Sequence, residues 1–185
     1  MASLKKDFNY KIVKNFLNEN EINLLKHYCK NMHLTNTQNF DFGQNKNGDT
    51  YYYADPLMES LMFNKIELME KESGLKVFPT YSFWRMYTYG AELEPHTDRP
   101  SCEISVTVQI DSDGTKWPIY MENIPLTLEN GDAAIYYGTN VTHSRKEFTG
   151  DYHAQAFLHY VDQEGPHKEW IYDKRPMLGW VNKVS

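Results

Sequence analysis

Glu94-Pro95-His96-Thr97-Asp98 decides how this chain is read. In an extended strand residues i and i+2 face the same way, so His96 and Asp98 turn an imidazole and a carboxylate toward one point. The proline keeps Glu94 extended, and Gly90 separates the segment from the aromatic run before it. A His-x-Asp triplet alone is a weak signal. His143 strengthens it, a second histidine far downstream in the short strand-like run Val141-Thr-His143-Ser-Arg145. Two strands that meet would gather these side chains into a set of two imidazoles and one carboxylate. Such a set suits Fe(II) and keeps metal positions open for further ligands.

Upstream, Tyr81-Ser-Phe-Trp-Arg-Met-Tyr-Thr-Tyr89 has the composition of a strand. Its alternation places Phe83, Arg85 and Tyr87 on one face and Trp84 and Met86 on the other. Downstream, Cys102-Glu-Ile-Ser-Val-Thr-Val-Gln-Ile110 alternates too, with Ile104, Val106, Val108 and Ile110 against Ser105, Thr107 and Gln109. Two structures give this pattern: a half-exposed sheet with its polar side in water, or a barrel whose polar side lines the interior. Asp111-Ser-Asp-Gly114 reads as a turn, Trp117-Pro-Ile-Tyr-Met121 as a strand, Asn130-Gly131-Asp132 as a turn and Ala133-Ala-Ile-Tyr-Tyr137 as a strand. Gly138-Thr-Asn140 is a second turn. Gly150 to Tyr160 closes the series, with His153, Gln155, Phe157 and His159 on one face and Tyr152, Ala154, Ala156, Leu158 and Tyr160 on the other. His159 competes with His143 as the distal histidine; the Gly131-Asp132 turn favours His143.

Tyr87-Thr-Tyr-Gly90 followed by Glu94-Pro95-His96-Thr97-Asp98 resembles the prolyl-hydroxylase branch of the Fe(II)/2-oxoglutarate dioxygenases. The resemblance runs from about residue 81 to 161. It implies a double-stranded β-helix in which His96, Asp98 and His143 hold Fe(2+), with 2-oxoglutarate and O2 as co-substrates and hydroxylation of an unactivated C–H bond coupled to release of succinate and CO2. It also implies that Tyr87 lines the 2-oxoglutarate pocket. Most of the family carries a basic residue well past the distal histidine to grip the far carboxylate, where this chain has Tyr152, His153, Ala154 and Gln155. Arg145, two residues past His143 on the same strand face, can take that role with two parallel hydrogen bonds, and His153 is the alternative. Ser105, Thr107 and Gln109 would line the co-substrate pocket from the neighbouring strand. Arg85 and Arg99 are candidate substrate contacts.

The first part of the chain differs in character. Ile22, Leu24, Leu25 and Tyr28 recur at helical spacing between Asn18 and Met32, with Asn18 or Asn20 as caps. Thr35 to Asn47 is polar and reads as a loop. Asp55-Pro56 is an N-cap and N1 pair, predicting a helix that runs to Gly74. Tyr51-Tyr-Tyr53 suits a substrate mouth or ordinary packing. Gly165 to Ser185, with Trp170, Tyr172 and Trp180, is expected to pack back on an edge strand.

The reading is a mainly β chain with flanking N-terminal helices (α+β), built as a jelly-roll barrel. One domain would span 1–185, with 1–75 as helical support, 76–163 as barrel core and 164–185 as a packing tail. A net charge of -6 argues against a broad nucleic-acid footprint, and Lys174-Arg175 reads as a solvated basic edge. No apolar run of transmembrane length and no hydrophobic leader core is seen, and the two cysteines, Cys29 and Cys102, do not form a disulfide framework. These features fit an intracellular enzyme acting on a small-molecule or peptide substrate, its oligomeric state open. Two other classes compete: a cupin-type metal barrel with non-oxidative chemistry, and a non-catalytic jelly-roll binding module.

Overall fold

The computed structural model describes residues 9–35 and 49–180. The polar stretch expected to form a loop after Thr35 lies outside the described residues, as does the end of the tail. In chain order the elements are β1 (Tyr10–Val13), α1 (Glu19–Thr35), β2 (Thr50–Tyr53), α2 (Pro56–Asn64), α3 (Ile66–Ser73), β3 (Val77–Thr88), β4 (Leu93–His96), β5 (Ile104–Ser112), β6 (Ile119–Met121), β7 (Ile124–Leu126), β8 (Ala133–Tyr137), β9 (His143–Arg145) and β10 (Tyr152–Asp162). Short 3-10 segments cover Pro100–Cys102 and Lys168–Lys174.

Local chemistry explains the helix ends. Asn18 opens α1 through a reciprocal box: its side chain accepts from the Glu21 N–H at 2.9 Å, and the Glu21 carboxylate accepts from the Asn18 N–H at 2.9 Å. The Asp55 carboxylate accepts from the N–H groups of Leu57 and Met58, and Pro56 sits where its missing N–H costs nothing. The helix expected to run unbroken to Gly74 is two helices, interrupted at Lys65 (ψ 1°). Lys65 turns its ammonium onto Glu21, 2.7 Å away, which ties the junction to α1. Gly74 ends α3 in the left-handed conformation, φ 74°, where glycine carries no Cβ penalty.

The strands form two antiparallel sheets, one in the order β1-β8-β5-β10-β3-β2, the other β4-β9-β6-β7. The sequence predicts no strand at short β1, β2 or β7, and the strand predicted from Trp117 begins only at Ile119. The large sheet's apolar strand faces match the alternation in the sequence. Trp84, Met86, Ile104, Val106, Val108, Ile110, Ala154, Ala156, Leu158 and Tyr160 face the helices and pack with Leu25, Cys29, Met58, Met62 and Met69. Burying each larger apolar side chain contributes roughly 1.5–3 kcal/mol. The opposite face of the large sheet meets the small sheet. There Ile119 and Met121 pack on Ala134 and Tyr136, and Tyr87 packs with Trp117 and Phe148. The chain is therefore mainly β, with two facing sheets in a jelly-roll arrangement and helices covering one outer face. Ser105 and Thr107 are fully buried, so β5 turns its polar side to the interior rather than to water.

The described part of the tail packs against β3 and β10 of the large sheet. Arg99 and Asp173 pair at 2.8 Å, and the Tyr53 hydroxyl donates to the same carboxylate at 2.5 Å. Arg175 is buried against Glu59 of α2 at 2.5 Å, which corrects its reading as part of a solvated basic edge. Its cause is the Glu59 carboxylate, itself buried and in need of a counter-charge. No helix among the described residues is long and apolar enough to cross a membrane.

Candidate metal centre and adjoining cavity

Antiparallel pairing of β4 with β9 sets His96 directly opposite His143. The strand ends at His96, so Asp98 lies in the connection beyond it, its N–H donating to the Gly138 carbonyl at 2.7 Å. The two Nε2 atoms lie 3.7 Å (His96) and 3.5 Å (His143) from the same Asp98 oxygen, Oδ1. Two ligand bonds of ~2.1 Å each span at most ~4.2 Å, so these separations fall within the reach of one ion. Each imidazole is oriented from behind. Nδ1–H of His96 donates to the Glu94 carbonyl at 2.8 Å, and that of His143 to the Val141 carbonyl at 3.0 Å. Carbonyls only accept, so both Nε2 lone pairs face Asp98, the arrangement a bound metal needs. Burial pushes His143 below its ordinary pKa despite the neighbouring carboxylate, favouring the neutral ligand form. His96 is the outermost of the three.

Asp98 is held in turn. The Ser105 hydroxyl lies 3.0 Å from its Oδ2 and 2.9 Å from Nδ1 of His159. A Cβ on Gly138 would fall 2.4 Å from Oδ2 and 2.2 Å from the Cys102 carbonyl, so glycine there is clearance for the carboxylate rather than only a turn residue. His159 is not opposite His96. It stands behind Asp98, stacked near Tyr81, and burial lowers its pKa to about 4.

Beside the three side chains is a cavity of about 230 Å³. Phe83, Arg85, Tyr87, Tyr136, Phe157 and His159 are among the groups that line it. Arg85 is committed to a buried pair with Asp49 at 2.5 Å, its guanidinium lying 4.5 Å from the Tyr87 ring centre. Burial raises the Tyr87 hydroxyl pKa, so it stays a neutral donor. Arg99 is absent from the lining; it is held by Asp173 and stacks over Tyr81 at the rim. Gln109 is also not brought here. It donates to Asn130 at 3.0 Å and borders a separate cavity with Ser112 and Trp117, because the long β5 carries its last residues away from the histidines. Thr107 stays between the sheets and accepts from Gln155 at 2.6 Å. Tyr136, Phe157 and Tyr81 are lining residues that the sequence did not single out, although Phe157 shares a predicted strand face with His159.

Arg145 faces inward from β9, as its two-residue offset from His143 requires. It is 3% exposed and donates to the Trp117 carbonyl at 2.5 Å, yet its Nε has no partner. No carboxylate among the described residues forms an ion pair with it, and burial lowers its pKa to about 10. A buried cation without an anion is costly, several kcal/mol, unless a ligand supplies the charge. His153 differs: its Nε2–H donates to the Gln155 amide oxygen at 2.8 Å, so its unpartnered Nδ1 is a bare acceptor with no proton to offer a carboxylate, and burial together with nearby Arg145 lowers its pKa to about 3.

No protein-family model and no curated protein sequence matches the chain. Solved structures do match in fold. The epimerase SnoN of nogalamycin biosynthesis, in complex with Fe3+, alpha ketoglutarate and nogalamycin RO, is similar with a TM-score of 0.69 at 13% identity, over 91% of this chain and 86% of that one. A Pseudomonas putida prolyl-4-hydroxylase gives 0.65 at 14% identity, over 83% and 92%. The viral collagen prolyl hydroxylase vCPH from Paramecium Bursaria Chlorella virus-1, in its 2OG complex, gives 0.61 at 11%, over 82% and 94%. The chain thus shares the fold of these non-haem iron, 2-oxoglutarate enzymes.

Proposed function

We propose that this protein is an Fe(II)- and 2-oxoglutarate-dependent oxygenase that hydroxylates an unactivated C–H bond of a small molecule or peptide. One observation carries the reading: His96 and His143 face each other and aim both Nε2 atoms at one Asp98 oxygen, while Arg145 on the same strand as His143 is a buried guanidinium in want of an anion. The donor chemistry fits the group. A facial set of two imidazoles and one carboxylate suits Fe(II), and an uncompensated guanidinium fits a dicarboxylate's far end. In this reading the two sheets are the barrel of a double-stranded β-helix and residues 1–185 act as one domain.

The metal with its keto acid supplies the oxidising power when bound, as cofactors do in such enzymes. The chain supplies the rest. Backbone carbonyls of Glu94 and Val141 orient the two imidazoles, and Ser105 holds the second oxygen of Asp98. Arg145 takes the far carboxylate of 2-oxoglutarate, and Tyr87, a neutral donor held between Arg85 and Trp117, lines the same pocket. Trp117 and Phe148 shield that end from water. The aromatic lining of Phe83, Phe157 and Tyr81 leaves an apolar approach for a C–H bond next to His96. Arg85 borders the substrate space as a fixed donor, its charge already matched by Asp49. An intracellular, reducing setting agrees with two buried, unpaired cysteines.

The test is an anaerobic titration with Fe(II) and then 2-oxoglutarate, read by the weak visible charge-transfer band of a chelated keto acid. The band is expected in the wild type and lost in His96→Ala. Bound iron without a band would favour a cupin-type barrel of other chemistry, and no bound metal a binding module.

A further inference from the structure

The Ser105 hydroxyl has three polar atoms at hydrogen-bond distance, with the Tyr136 hydroxyl also nearby: Asp98 Oδ2 at 3.0 Å, the Cys102 carbonyl at 3.0 Å and His159 Nδ1 at 2.9 Å. Two of these can only accept. A hydroxyl has one hydrogen. If His159 Nδ1 were bare, three acceptors would compete for it, and a carboxylate oxygen would face a lone pair at hydrogen-bond distance. If Nδ1 carries the proton, it donates to Ser105, and Ser105 is free to donate to Asp98. Only this tautomer makes both short contacts hydrogen bonds at once, Nδ1–H to Ser105 and Ser105 to the carboxylate, the stronger of the two acceptors.

We infer that His159 is a positioning residue for the metal site: it fixes the direction of the Ser105 hydroxyl, and through it the orientation of Asp98. The inference rests on the reading of Asp98 as a metal ligand. The site is well built for it. Ser105 is fully buried, His159 is nearly so, and the imidazole centre lies 4.5 Å from that of the tilted Tyr81 ring, which packs against it. With Oδ2 engaged by Ser105, Oδ1 is the oxygen left to face the two Nε2 atoms, as the distances show. Groups that orient metal ligands in this way typically change metal affinity 10–100-fold when removed.

Two substitutions separate the relay from packing. In His159→Asn the carboxamide nitrogen can replace Nδ1 as donor to Ser105. In His159→Gln the amide reaches the Nε2 position instead and leaves Ser105 without a donor. Zn(II), which is redox-silent, serves as the probe, with affinity read by competition with a chromophoric chelator. His159→Asn is expected to bind within about threefold of wild type, while His159→Gln and Ser105→Ala bind roughly 10–100-fold more weakly. Side-chain 15N NMR of the wild type, metal-free and Zn(II)-loaded, is expected to show His159 protonated at Nδ1 and bare at Nε2. An Nε2-protonated His159, or Ser105→Ala binding Zn(II) as tightly as wild type, would overturn the inference. So would a folded His159→Asn as weak as His159→Gln. Should the His159 variants not fold, the wild-type tautomer and Ser105→Ala decide. Wild type that binds no metal would refute the oxygenase reading itself, while the tautomer still reports on the relay.

Discussion

The Arg145 guanidinium lies 4.4 Å from the centre of the Trp117 ring and donates to the Trp117 backbone carbonyl at 2.5 Å. The ring and the carbonyl fix the plane of the guanidinium while neutralising none of its charge, so its free edge is held ready for an anion.

Arg145→Gln should therefore weaken 2-oxoglutarate binding strongly. Hydrogen bonds to charged groups contribute about 1.5–3 kcal/mol each, so losing one or two corresponds to roughly 10-fold to 1,000-fold or more. His153→Ala should leave the affinity within about threefold, because its one ring N–H is already given to Gln155 and its free Nδ1 can only accept. Calorimetric titration of the Fe(II)-loaded protein under anaerobic conditions measures both. Equal affinities in wild type and Arg145→Gln would remove Arg145 as the anchor.

Gly138→Ala tests whether Asp98 needs the clearance that glycine gives. The added methyl would meet the Cys102 carbonyl at 2.2 Å and the Asp98 carboxylate at 2.4 Å. Backbone cannot yield cheaply, so overpacking should cost about 1–3 kcal/mol of stability, and the displaced carboxylate should lower metal affinity by at least roughly tenfold. Gly114→Ala, which meets nothing within 4 Å but sits at φ 94°, should lose about 1–2 kcal/mol to backbone strain while keeping wild-type metal affinity, so metal affinity is the readout that separates the two. Thermal melts and metal titration of the two variants are compared; a Gly138→Ala protein with wild-type metal affinity would show that Asp98 has room to spare.

Much of this arrangement is legible in the sequence because strand alternation is a two-residue signal. Alternation alone places Phe83, Arg85 and Tyr87 on one face, and Ser105 and Thr107 on another. What alternation cannot say is how far along a strand the site lies, and so Gln109 was grouped with Ser105 although it ends beside Asn130. Nor does it reveal contacts set by loops. Gly138 read as a turn residue because its clash partners, Cys102 and Asp98, come from a different connection. Arg175 read as a surface charge because Glu59, its partner, is more than a hundred residues away and carries no local mark of burial.

Stability should fall on mild acidification of the metal-free protein. Burial lowers the pKa of His153 to about 3 and of His159 to about 4, and lowers that of His143 as well. An unfolded histidine titrates near ~6.5. Between that pH and the folded values the unfolded chain binds more protons, so stability rises with pH there and is lost as pH drops. Each fully buried histidine contributes about 1.4 kcal/mol per pH unit inside its window, roughly 3–5 kcal/mol in all. Asp111 and Asp132 also have lowered pKa values; although burial opposes it, Lys30 and Lys14 respectively hold them down, so their contribution is lost only below about pH 4. Urea unfolding from pH 8 to pH 4 should show the early loss, and His153→Phe should flatten it. A stability constant from pH 7 to pH 5 would contradict buried neutral histidines.

Arg175 anchors the tail by answering a buried charge. Its guanidinium pairs with Glu59 at 2.5 Å and donates to the Thr80 carbonyl at 2.9 Å, and the Gly179 N–H donates to the other Glu59 oxygen. Just before it, Tyr172, Asp173 and Lys174 hold positive φ in succession, a conformation that costs about 1–2 kcal/mol per residue. The Asp173 bonds to Arg99 and Tyr53 help offset that strain. Arg175→Met should remove about 3–5 kcal/mol, since Glu59 is then left buried and uncompensated. The double change Glu59→Gln with Arg175→Met should recover most of it, because the isolated charge is gone. Chemical unfolding of the single and double variants decides. If the double variant is as unstable as Arg175→Met alone, the cost lies in lost packing of the tail rather than in the stranded carboxylate.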